Sequence, residues 1–100
     1  MDITHSQIGQ SLEFKFSGQF TFADNQKFRD MINMIRQHES KSVSLNFAAV
    51  EFVDSAALGM LLLLRDITDK ERIALQLAEP HGQVEKMFTL SKFDTLFQLA

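Results

Sequence analysis

Val53-Asp54-Ser55-Ala56-Ala57-Leu58-Gly59-Met60-Leu61-Leu62-Leu63-Leu64 joins two patterns that belong to different secondary structures. Upstream, apolar residues alternate through Val43, Leu45 and Phe47, the period-two signature of a strand buried on one face. Downstream, small residues followed by a leucine-rich run read as a buried helix from about Ala56 to Asp66. Asp54-Ser55 puts side-chain oxygens where the first N–H groups of a helix lack partners. The stretch therefore reads as strand, tight turn, helix. Ser55 then has two readings. Its hydroxyl either accepts backbone N–H bonds as a cap, or carries a phosphate against the positive end of the helix dipole. Asp54 is an equally good cap and would oppose a phosphate by like charge. The local pattern leaves both readings open, with capping the simpler.

Working toward the N-terminus, Leu12, Phe14 and Phe16 alternate with Glu13 and Lys15, a half-buried strand from Ser11 to Ser17 closed by Gly18. Ile3 to Ile8 is a weaker strand, joined to it as a hairpin through Gly9-Gln10. Thr21-Phe22-Ala23-Asp24 places a hydroxyl three residues before an acid, a helix start. Phe28, Met31, Ile32 and Ile35 follow with the spacing of one helical stripe, and Arg36, Gln37 and His38 suit its C-terminal end. Toward the C-terminus, Ile73, Leu75 and Leu77 form a strand stopped by Glu79-Pro80. Val84, Met87 and Phe88 support a third helix, and Leu96-Phe97-Gln98-Leu99 a short last strand. Strands alternating with helices imply right-handed crossovers, so the fold class is α/β: a mixed, mostly parallel sheet with an N-terminal antiparallel hairpin and helices packed against it. In the second helix Leu58, Leu61, Leu62 and Arg65 make a stripe that Met60, Leu63 and Leu64 widen, which predicts packing on more than one side.

One hundred residues predict a single domain over 1–100, and 45% hydrophobic with 23% charged residues suits a folded one. Ten Phe with no Trp or Tyr point to core rings rather than a binding platform. A net charge of -3 with no basic stripe argues against nucleic acid. The absence of Cys excludes disulfides, thiolate nucleophiles and cysteine metal sites. No signal peptide or span-length apolar run is present, which predicts a soluble, cytoplasmic protein without membrane insertion.

Catalysis at Ser55 would need a base, and His81, in the loop after the fourth strand, is the one candidate; no G-x-S-x-G elbow surrounds Ser55. His81 reads more simply as a loop histidine. Ala56, Ala57 and Gly59 form a small-residue patch, read either as close packing of helix on sheet or as a bare helix start open to a partner. Phe22 is read either as an exposed partner contact or as a hydrophobic staple. Asp66, Asp69 and Glu71, with Lys70 and Arg72, read as a solvated helix end, and Met31, Met34 and Met60 as core or core edge. No metal-binding spacing and no Gly-rich phosphate loop occur, so neither a metal nor a cofactor is expected.

The segment from Val43 to Gly59, with Asn46 ending a strand and Val53-Asp54-Ser55 turning before Leu58-Gly59, resembles the signature of the STAS domain (sulfate transporter and anti-sigma factor antagonist). Phe16-Ser17-Gly18-Gln19-Phe20 resembles the family's second strand and Gly-Glu-Leu turn, and the likeness extends through Val84–Phe88 and Leu90-Ser91-Lys92-Phe93. The free-standing members are bacterial anti-sigma factor antagonists. The resemblance implies that Ser55 is phosphorylated by a serine-kinase anti-sigma factor and dephosphorylated by a PP2C-type phosphatase. It implies too that the unphosphorylated chain binds the anti-sigma factor, or another output protein, through Asp54, Ser55, Ala56, Ala57, Gly59, Thr21 and Phe22. Such a chain is a substrate and a switch in transcription control, not an enzyme. Ala56 and Ala57 stand where many members have Ser or Thr and then Gly, leaving Ser55 the only hydroxyl of the turn. Thr21 and Ala49 stand where acids are common. The family's further C-terminal helix is expected to be short or absent, which favours self-association as a homodimer or an extra partner. The alternative is a non-phosphorylated STAS subunit of a lipid-transport ATPase.

Overall fold

The structure, a computed structural model, describes residues 1–100. The chain runs β1 (Asp2–Ile8), β2 (Ser11–Phe20), a 3₁₀ turn (Phe22–Asp24), α1 (Asn25–Gln37), β3 (Ser42–Val53) and α2 (Ser55–Lys70). It continues through β4 (Ala74–Ala78), α3 (Gly82–Leu90), the single turn α4 (Phe93–Leu96) and β5 (Gln98–Leu99). The five strands lie in chain order, β1 antiparallel to β2 and the rest parallel. The expected hairpin and parallel sheet are both present. Gly9, at φ 60, takes the first of the two hairpin turn positions, as a type II′ turn requires. Every parallel connection steps the same way along the sheet, so right-handed crossovers place α1, α2 and α3 on one face. Leu12, Phe14, Phe16, Val43, Leu45 and Phe47 are buried toward the helices, while Ser11, Glu13, Lys15, Ser42 and Ser44 point to the open face. No helix is long and apolar enough to cross a membrane.

Eight of the ten Phe are buried, with Phe22 and Phe52 the exceptions. Seven of these rings form a continuous chain, while Phe14 lies against His5 instead. Phe20 stacks on Phe28 at 5.3 Å, and Phe16 touches both. Phe16 meets Phe47 edge-on at 5.4 Å, and Phe47 meets Phe88 edge-on at 5.3 Å. Phe93 and Phe97 continue the series. Edge-to-face and stacked pairs add about 0.5–1.5 kcal/mol each beyond area burial, so this chain couples sheet, α1 and the C-terminal elements.

Several element limits differ from the sequence reading. Gly18 does not close β2; at φ 97 it is absorbed into an irregular stretch, with register shifts against β3 on either side of it, and the strand reaches Phe20. The same irregularity hides the second half of β3, where alternation breaks at Ala48-Ala49 although the strand runs to Val53. Ile73 is buried but precedes β4. α2 extends four residues past Asp66, and it does not pack on more than one side. Its buried residues are Ala57, Leu58, Met60, Leu61, Leu64 and Thr68, one broad face, while Leu62 and Leu63 are 37% and 47% exposed. All three long helices end without glycine: Glu39, Arg72 and Lys92 take the left-handed position just after α1, α2 and α3.

Truncating Phe47, 0% exposed and touching two rings, should destabilise the fold by about 3–5 kcal/mol in urea unfolding. Arg72→Gly should instead stabilise it by about 0.5 kcal/mol, because glycine relieves the left-handed backbone.

Candidate functional site

The C-terminal end of β3 delivers Asp54 and Ser55 to the start of α2. Asp54 adopts extended backbone and caps the helix: its Oδ1 accepts the Ala57 N–H at 2.8 Å. The second oxygen, Oδ2, accepts the Phe22 N–H at 3.2 Å. The Asp54 N–H donates to the Phe20 carbonyl at 3.3 Å. One residue thus ties the helix start to the end of β2 and to the 3₁₀ turn. That turn has its own support. Thr21 Oγ1 accepts from the Ala23 N–H, and Asp24 Oδ2 accepts from the Thr21 N–H at 2.9 Å, the reciprocal pairing expected from Thr21-Phe22-Ala23-Asp24. Asp24 is buried and its other oxygen pairs with the Met1 amino group at 3.0 Å.

Ser55 is the first residue of α2 and exposed. Its hydroxyl makes none of the hydrogen bonds around the turn, because Asp54 supplies the cap. Thr21 and Asp54 are half-buried, Phe22 is 68% exposed, and the Phe22–Asp54 bond holds the two segments together. This exposure rules out Phe22 as a staple. Gly59, one turn beyond Ser55, is exposed, and a Cβ there would meet nothing within 4 Å, so packing does not demand glycine. Ala56 is half-buried. Ala57 is the correction: it is 0% exposed and part of the core, so its methyl group cannot touch a partner.

His81 makes no hydrogen bond to Ser55. Its Nε2 lies 2.7 Å from the Ala48 carbonyl oxygen, so the ring is used in fastening its loop to β3. Beside it, Gln83 bonds both backbone groups of Val53. The sequence carries no signal for these contacts, which span 33 and 30 residues. Asp66, Asp69 and Glu71 are exposed, with Arg65–Asp69 and Arg36–Glu71 as surface ion pairs. A cleft of about 340 Å³ opens on the bare sheet face, lined by Ser11, Ser42, Ser44 and Gln76 among others, at the opposite end of the parallel strands from Ser55.

Asp54→Ala should cost about 0.5–2 kcal/mol in urea unfolding and speed amide exchange at Ala57 and Phe22. Ser55→Ala should stay within about 0.5 kcal/mol of the parent chain, since its hydroxyl holds nothing.

A sequence model of the STAS domain matches residues 3–100. A STAS-domain containing protein of Pseudomonas aeruginosa (strain UCBPP-PA14) is 35% identical over 95 residues, 95% of this chain and 93% of that one. Among solved structures, an anti-sigma factor antagonist from Mycobacterium paratuberculosis superposes with a TM-score of 0.86 at 16% identity, over 98% of this chain and 83% of that one. The phosphorylated form of the Bacillus cell fate determinant SpoIIAA gives 0.76 at 18% identity, over 99% and 91%. At these identities the structural likenesses establish the fold. The sequence match carries the family, and this chain belongs to the STAS domain family.

Proposed function

We propose that this protein is a phosphorylation-controlled binding module of the anti-sigma factor antagonist type, with Ser55 as its phosphate acceptor. The observation that carries the reading is the division of labour in the turn: Asp54 does the capping, and the Ser55 hydroxyl stands exposed and unengaged at the start of a 16-residue helix. In the proposed reaction the Ser55 oxygen attacks the terminal phosphorus of ATP bound to a serine-kinase anti-sigma factor. The bond to ADP breaks and the serine proton passes to a base of the kinase. This chain supplies only the nucleophile and its placement, so it is a substrate rather than an enzyme, and the nucleotide and its metal belong to the partner.

The new phosphate would bring about -1.5 to -2 charge to the first turn of α2. The amides of Ser55 and Ala56 have no intrahelical partner there, and the helix dipole favours an anion. Neighbouring Asp54 repels it. The surface of Phe22, Ala56 and Gly59 that a partner would cover therefore changes from uncharged to anionic while the fold stays in place. A PP2C-type phosphatase would reverse the change by hydrolysis. The unphosphorylated form would then bind the kinase again and release its target, or bind another output protein. An ATP-dependent kinase puts the switch in the cytoplasm.

A kinase of this class with ATP should add one phosphate to the parent chain and none to Ser55→Ala. Ser55→Asp should weaken capture of that kinase by at least about tenfold, given the cost of an opposed charge in an interface, and Ser55→Ala should keep it. Equal capture of both variants removes the switch. Stable co-purification with a membrane ATPase, independent of Ser55, would replace it with the accessory-subunit reading. Phe22→Ser should weaken capture without moving the urea midpoint, because the ring lies outside the core.

A further inference from the structure

The ladder between β3 and β4 ends at Asn46 opposite Ala78, yet β3 continues to Val53. That overhang is paired on the β2 side alone, as far as Phe20 opposite Val53. In a parallel sheet the N–H and C=O of one residue point to the same neighbour, and successive residues alternate. Asp54 turns its N–H to the Phe20 carbonyl, so Val53 turns both of its groups to the side where β4 is missing. Val53 is 0% exposed, so water cannot serve there. A single side chain does. Gln83 Oε1 accepts the Val53 N–H at 3.0 Å, and Gln83 Nε2 donates to the Val53 carbonyl at 3.0 Å. Neighbouring contacts bring Gln83 into reach. Asn46 Nδ2 donates to Glu79 Oε2 at 2.7 Å, Glu79 turns the loop through φ 56, and His81 fastens it to Ala48.

We propose that Gln83 is a positioning residue of the Ser55 switch: its amide replaces one residue of the absent strand and sets where the β3–α2 turn presents the serine oxygen. The proposal rests on the reading of Ser55 as acceptor. A primary amide carries a donor and an acceptor side by side, which is what one strand residue offers its neighbour. Glutamate keeps only the acceptor and sets a carboxylate against the Val53 carbonyl; leucine keeps neither. The turn is thereby held from two sides, by Asp54 toward β2 and the 3₁₀ turn and by Gln83 toward α3. Phosphoryl transfer depends on placement of the attacking oxygen, and a shift of about 1 Å can cost on the order of 100-fold in rate. Gln83 therefore acts on the rate of phosphorylation, while affinity comes from the surface around Phe22 and Gly59.

Amide hydrogen exchange on the purified chain and phosphorylation by the kinase captured above test this together. Gln83→Leu should speed exchange at Val53 by about tenfold or more, reaching Asp54 and Ser55, with Leu45 and Phe47 unchanged. Its kcat for phosphorylation should fall by at least about tenfold with KM within about twofold. Gln83→Glu should lie between the parent and Gln83→Leu in exchange, and serves as the second variant where leucine impairs folding. Unchanged Val53 exchange in both variants overturns the clamp. Faster exchange with an unchanged kcat overturns the positioning role. A parent chain that takes no phosphate overturns the functional reading and the role at Ser55 with it, whereas a phosphorylated parent with unaffected variants overturns the role of Gln83 alone.

Discussion

Strand β3 has twelve residues and its neighbour β4 has five, and the site depends on that mismatch. A strand that outruns its partner leaves backbone donors and acceptors unpaired, and burying them unpaired costs about as much as a lost hydrogen bond. Here the debt falls on Val53, wholly buried, immediately before the turn that carries Asp54 and Ser55. The fold meets it with side chains. Gln83 stands in for a strand, His81 binds the Ala48 carbonyl, and Asp54 ties the far end to Phe22 and Ala57. The overhang carries the turn beyond the end of β4 and places an exposed serine on well-braced backbone.

The core gives those braces something rigid to hold. The row of phenylalanine rings runs from β2 and α1 through β3 to α3 and α4, so the helix carrying Gln83 is packed through Phe88 onto Phe47 of the strand it clamps. α2 packs along one face only, which leaves its opposite face bare from Ser55 through Gly59 to Leu62 and Leu63. Local charge is mild there apart from Asp54. The phosphate proposed at Ser55 would place its charge on this bare face, beside Asp54.

Period-two and helical spacing were enough to read the strands, the three long helices, their order and the N-terminal hairpin, because those patterns come directly from which residues must face the core. The Thr21–Asp24 capping pair and Asp54 as an alternative cap were legible for a similar reason: capping acts within three residues. Limits of elements were less legible. Gly18 looked like a stop and is a bulge. The end of α2 had no glycine to mark it, since Arg72 takes the left-handed position. The exposure of Leu62 and Leu63 was misread because an apolar run alone does not say which of its sides meets a neighbour.

At the site, the sequence by itself determined that a strand ends in Asp-Ser before a helix and that Ser55 is the only hydroxyl of the turn. Tertiary structure decided the rest. Asp54 caps α2 locally through one oxygen, but only the fold brings its other oxygen to the Phe22 amide, 32 residues away. Ala57 turned inward while Gly59 stayed outside, which depends on how α2 is rotated against the sheet. Gln83 acquired its role only because β4 is too short to satisfy Val53. Each of these depends on groups far apart in the chain meeting at hydrogen-bond distance, and local periodicity carries no information about such meetings.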